Sequence, residues 1–167
     1  MKSLTHIWLP LLLLSVLTFS CQKEETPKSE IAKKTEAFKA FAQNKAFVAV
    51  DFYADQPIDY IKTDAEVRAE TDLKKYMYDY IKDDQILFDN NGVLKITQNG
   101  KKIPGNDSAV LVRNWEITPG TSTVNVLFVD YEYDPRRYHL VEYNDTTFLA
   151  YVDYDGGAKL YSRFSKR

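Results

Sequence analysis

Few side chains in this 167-residue sequence combine the type and the spacing that chemistry needs. Carboxyl groups are plentiful, and Asp83-Asp84 and Asp130-Glu132 come closest to the paired acids of glycoside hydrolysis. Both pairs lie beside expected strand ends or turns, where solvated acids are routine. Asp153-Tyr154-Asp155-Gly156 begins like a calcium loop but lacks the third oxygen ligand and the closing Glu, so it reads as a plain turn. The two histidines are His6, inside an apolar leader, and His139, which alternates with Tyr138 and Leu140. A Ser-His-Asp triad would need His139, whose setting is that of an ordinary strand histidine. With one cysteine, Cys21, and one histidine beyond the leader, thiol nucleophiles and His/Cys zinc sites lack their residues. No G-x-S-x-G, phosphate loop or dinucleotide fingerprint occurs. The expectation is a non-enzymatic chain without metal or cofactor.

Arg113 is the one candidate ligand-binding residue. In AVLVRNWEIT it shares a strand face with Ala109, Leu111, Trp115 and Ile117. If that face lines a barrel, an inward guanidinium would hold a ligand carboxylate through two parallel bonds. The alternatives are a bulge that turns Arg113 outward, or a partner such as Glu132 on the next strand. The twelve tyrosines offer either a recognition surface or half-buried strand positions.

Cys21 belongs to a different chemistry. Lys2 precedes the uncharged run LLLLSVLTFS, and the cysteine follows Ser20 at the point where QKEETPKS begins. A basic start, a short apolar run and a small residue at the junction describe a secretory signal over residues 1–20. A spanning helix needs about 17 to 25 apolar residues, and Thr5, His6 and Pro10 interrupt this run. The junction resembles the lipobox of bacterial lipoproteins, with Thr18 and Phe19 in place of its usual Leu and small residue. Such relaxed forms are similar to those of Bacteroidota lipoproteins, and Gln22-Lys23-Glu24-Glu25 resembles their surface-export signal. The resemblance implies a diacylglyceryl group on Cys21 and an outer-membrane location facing the cell exterior, with the periplasmic face as the alternative. Residues 21–29 would form an acylated tether, and 30–167 one domain.

Charge narrows the partners. Lys2 is the only charged residue of the leader, so the 22 basic residues become 21 against 24 acidic ones, a net of −3. That balance exerts no pull on nucleic acid. The partners expected are the membrane, through lipid on Cys21, and a small ligand or an envelope protein.

The elements that would carry these residues are mostly strands. Ile31, Ala37, Phe38, Phe41 and Ala42 share a face, predicting an amphipathic helix over 30–44 that packs on the domain. FVAVDFYA, 47–54, is a strand with Val48, Val50 and Phe52 on one face. Thr63-Asp64-Ala65-Glu66 has the form of a capping box, and Ala69, Leu73, Tyr76, Met77, Tyr80 and Ile81 extend a second helix to residue 82. Seven strands follow: 85–89, 93–98, 109–118, 123–133, 137–143, 147–154 and 158–165. Their turn signals include Asn90-Asn91-Gly92, Pro119-Gly120 and Gly156-Gly157. No helix-length segment separates the seven, so antiparallel neighbours are expected.

An eight-stranded meander with one helix between strands 1 and 2, holding F-D-N-N-G and a later W-E-I, resembles the lipocalin-like domains of Bacteroidota lipoproteins. The resemblance implies an up-and-down barrel over about residues 47–167. An open twisted sheet packed on the helix is the alternative fold. Two functions follow: a binding module for a small apolar or carboxylate ligand, or an interaction subunit or neutralising partner of another protein.

Overall fold

In the computed structural model, residues 27–62, 65–129 and 135–167 are described. Cys21, the Gln22–Glu25 stretch, Thr63 and the Asp130-Glu132 pair lie outside them. Helix α1 (Pro27–Ala42) opens with a proline at its first position, where the missing N–H costs nothing, and carries Glu30 in its first turn. Thr35 Oγ1 donates to the Ile31 carbonyl at 2.7 Å, which lets a hydroxyl sit on the buried face. Asn44, at φ 59°, ends the helix in the left-handed region, and its N–H donates to the Phe88 carbonyl.

Nine strands follow among the described residues: β1 (Ala46–Lys62), β2 (Ala65–Asp72), β3 (Gln85–Phe88), β4 (Val93–Thr97), β5 (Val110–Pro119), β6 (Val124–Val129), β7 (Pro135–Tyr143), β8 (Thr147–Asp153) and β9 (Lys159–Lys166). All pair antiparallel, each of β3 to β9 with its chain neighbour, and β1 also pairs β9. The meander therefore closes into an eight-stranded, lipocalin-like up-and-down barrel, and the open sheet does not form. Closure pairs the first barrel strand with the last and leaves β2 at the edge of the sheet.

Among the described residues no α-helix lies between strands 1 and 2, contrary to the expectation. β1 runs on to Lys62 and β2 returns along it, leaving one 3₁₀ turn at Lys74–Tyr76. The residues explain this. From Ala65 to Glu70 apolar and polar types alternate strictly, a period of two; the three-to-four spacing begins only at Leu73. What is left is too short to nucleate a helix against a sheet edge that offers main-chain partners. Ala69, at φ 51°, gives its N–H to Asp59 Oδ1 at 3.1 Å, a conformation no right-handed helix permits.

A second departure concerns β1. Its register against β9 slips between Ala49 and Asp51, so Ala49 lies opposite Phe164 and Phe52 opposite Ser162. This bulge turns Phe47, Ala49, Phe52 and Ala54 to the interior, where simple alternation would group Val48, Val50 and Phe52.

The interior is uneven. Toward α1 it is filled with rings: Phe38 meets Phe148 at 5.4 Å, Phe47 meets Phe148 at 5.1 Å and Phe88 meets Trp115 at 5.4 Å, all edge-to-face. Phe38 and Ala42 are wholly buried in this cluster, so α1 stoppers that end as packing predicts. A smaller apolar group, Ala54, Ile58, Leu73, Ala158 and Leu160, marks the opposite end.

Candidate functional site

Between those two clusters the barrel is hollow. The cavity has a volume of about 1070 Å³ and opens away from α1. Its residues come from strand faces fixed by alternation: Ala49 and Phe52 on β1, Ile86 on β3, Phe128 on β6, Tyr138 on β7, and Leu160, Ser162 and Phe164 on β9. Tyr138 stacks on Phe128 at 4.7 Å with planes 8° apart, and stands edge-on to Phe164 at 6.3 Å and 79°.

The remaining wall is a strap, residues 73–84. β3 pairs β1 only at Ala46 and Phe47. Beyond that point Leu73 N–H donates to the Phe52 carbonyl at 3.1 Å, and Tyr76, Met77, Tyr78 and Ile81 face the cavity. Leu73 anchors one end by complete burial. At the other end Asp83 Oδ2 accepts the Gly100 N–H at 2.8 Å and Asp84 Oδ1 accepts the Asn99 N–H at 3.0 Å. In the middle Asp79 lies 2.6 Å from Lys101 Nζ and 2.9 Å from Lys82 Nζ. The Lys101 ammonium first, then that of Lys82, holds the Asp79 carboxyl well below the usual carboxylate range.

The mouth carries charge. Arg136, Arg137 and His139 on β7, Asp51 on β1 and Asp153 on β8 are its charged and titratable lining residues. His139 Nε2 is 3.5 Å from Asp153 Oδ2, and its ring lies 5.0 Å from that of Tyr151. His139 is thus a strand histidine, with its polar edge toward an exposed acid.

Arg113 points inward. β5 alternates without a slip against β4, and Arg113 is 7 % exposed between Leu111 and Trp115, so no bulge turns it out. Its Nη1 donates to the Val112 carbonyl at 2.9 Å. It is not among the residues lining the cavity, and Glu132 lies outside the described residues. Asp83 and Asp84 are not the solvated acids expected: Asp84 is 1 % exposed, and both accept backbone N–H groups that pin the β4–β5 loop. Asp155–Gly157 forms a plain turn, with Gly156 and Gly157 at positive φ and Tyr154 N–H donating to the Ala158 carbonyl.

The cavity residues that sequence reasoning missed are Phe52, Met77, Tyr78, Arg136 and Tyr138. Arg136, Tyr138 and Leu140 are alternate positions of β7, the same signal that placed Arg113 inward. Among the described residues no group of three acidic, histidine or cysteine side chains could hold a metal ion, and no helix is long and apolar enough to cross a membrane. No family model, curated protein or solved structure matches this chain.

Proposed function

We propose that this chain is a lipid-anchored outer-membrane lipoprotein, displayed outward, whose barrel is a non-catalytic binding module for a small apolar or carboxylate ligand. One observation carries the binding reading: a cavity of about 1070 Å³ in a barrel whose other half is packed solid with rings. Ligand pockets start at about 300 Å³ and combine apolar walls with a few polar groups, as this one does. The rim cations Arg136 and Arg137 suit a carboxylate at the mouth. Cys21 and the acidic Gln22–Glu25 stretch support the anchor. Only six positions separate Cys21 from Pro27, a reach of roughly 20 Å, so the stoppered end would sit toward the bilayer and the mouth away from it.

Two measurements test this. Labelling cells with an alkyne fatty acid should mark the wild-type chain and not Cys21→Ser; an unlabelled wild type refutes the anchor. Native mass spectrometry of the purified chain incubated with a lipid extract of its host should show a stoichiometric adduct of a small molecule. A persistently empty barrel refutes the binding module.

A second reading, an interaction subunit of an envelope complex or a neutralising partner, draws on the outer face. Tyr53 stacks on Tyr161 at 5.1 Å, Tyr161 meets Tyr151 at 5.5 Å and Tyr151 meets His139, one continuous row across β1, β9, β8 and β7. Half-buried tyrosines of this kind serve protein interfaces. Cross-linking in intact cells from a photoreactive group at Tyr161 should capture one protein partner if this reading holds.

A further inference from the structure

We infer that the cavity is shaped for a planar, fused-ring aromatic ligand rather than for an acyl chain; the inference rests on the binding reading above. Two ring stacks meet at the inner end of the cavity, with Phe128, Tyr138 and Phe164 on its wall and Phe148 buried behind them. Phe128 and Tyr138 lie nearly parallel at 4.7 Å, and Phe164 lies nearly parallel to Phe148 at 4.6 Å. The two stacks meet at Tyr138 and Phe164 with ring planes 79° apart. Phe52 projects from the β1 wall, and Tyr76 and Tyr78 come from the strap.

Ring stacks attract other rings by geometry as well as by area. A flat guest that extends one stack presents its edge to the other, so it meets both preferred arrangements of aromatic pairs at once. An alkyl chain gains only contact area there. The walls also do not yield to fit it, since the rings are backed by the filled half of the barrel, through Phe148 to Phe47 and Phe88. Met77, also on the lining, adds a polarisable thioether, a group that packs well on aromatic rings.

The test compares acids that share a charge and differ in shape. The full chain is titrated calorimetrically with naphthalene-2-carboxylate, with decahydronaphthalene-2-carboxylate, which has the same carbon skeleton but puckered rings, and with dodecanoate. The aromatic acid should bind tighter than its saturated counterpart by about threefold to tenfold. Phe128→Leu should weaken the aromatic acid more than the saturated one, so that the difference between them shrinks. Should Phe128→Leu fail to fold, Tyr138→Leu, which removes the other ring of the same stack, gives the same comparison. Equal or tighter binding of either saturated acid overturns the inference and leaves the binding module standing. Failure of all three acids to bind overturns the binding module itself.

Discussion

The indole N–H of Trp115 donates to the main-chain carbonyl of Asp89 at 2.9 Å, tying the middle of β5 to the turn between β3 and β4. The same turn is closed by the Asp89 carboxylate, which accepts the Asn90 N–H and pairs with Lys95; Lys95 is the larger cause of that carboxyl's depressed pKa. Trp115→Phe keeps a ring in the core but deletes the donor. It should lower unfolding free energy by about 2 kcal/mol, read from the urea midpoint.

Gly92 stands in this turn at φ +75°, and a Cβ there would come 3.2 Å from the Trp115 carbonyl oxygen. Gly105 has a similar φ, +79°, with open space around it. Gly92→Ala should therefore cost more than Gly105→Ala, about 2 against about 1 kcal/mol. Equal losses in urea titrations would show that the close approach does not matter.

Phe38 is the stopper of the filled end. Phe38→Ala removes a fully buried ring that meets Phe41, Tyr143 and Phe148, and should cost about 3 to 5 kcal/mol. Loss of near-ultraviolet ellipticity at lower urea concentration would register it.

Asp79 ties the strap through charge-assisted hydrogen bonds from Lys101 and Lys82. Its folded carboxyl is depressed, so the unfolded chain takes up the proton first as pH falls. The contribution of this tie is complete above about pH 5 and fades as pH drops through and below the ordinary carboxylate range. Both lysines and the acid are exposed, so global stability should hardly move. Hydrogen exchange should respond instead: in Asp79→Asn the Met77 and Ile81 amides, bonded to Lys74 and Tyr78 carbonyls, should exchange faster at pH 7. The difference from wild type should persist at pH 3 and vanish in 1 M salt.

Ser162 is a small residue of the cavity wall, opposite Phe52 on β1 and Ala150 on β8. Ser162→Phe should fill the void, leave the far-ultraviolet spectrum unchanged and abolish binding of any cavity ligand, measured by calorimetry.

Most of this fold could be read in advance because alternation is strong wherever one strand face is buried. Leu111, Arg113, Trp115 and Ile117 in β5, and Phe148, Ala150 and Val152 in β8, declare their inward face. Two features escaped for physical reasons. The alternation in Ala65–Glu70 is carried mostly by alanine and charged residues that also favour helices, and only main-chain pairing along β1 decides between them. The bulge at Ala49 leaves no mark in composition, yet it sets which residues of β1 reach the cavity. The cavity itself could not be read from sequence, since a barrel filled to both ends and one filled to half its height share the same alternation.

That half-filled interior has a mechanical meaning. With Phe38, Phe47, Phe88 and Phe148 blocking the end beside α1, nothing can pass along the barrel axis from mouth to mouth. The molecule is a cup and not a pipe: under the binding reading proposed above, loading and unloading would compete for one passage, the mouth away from α1.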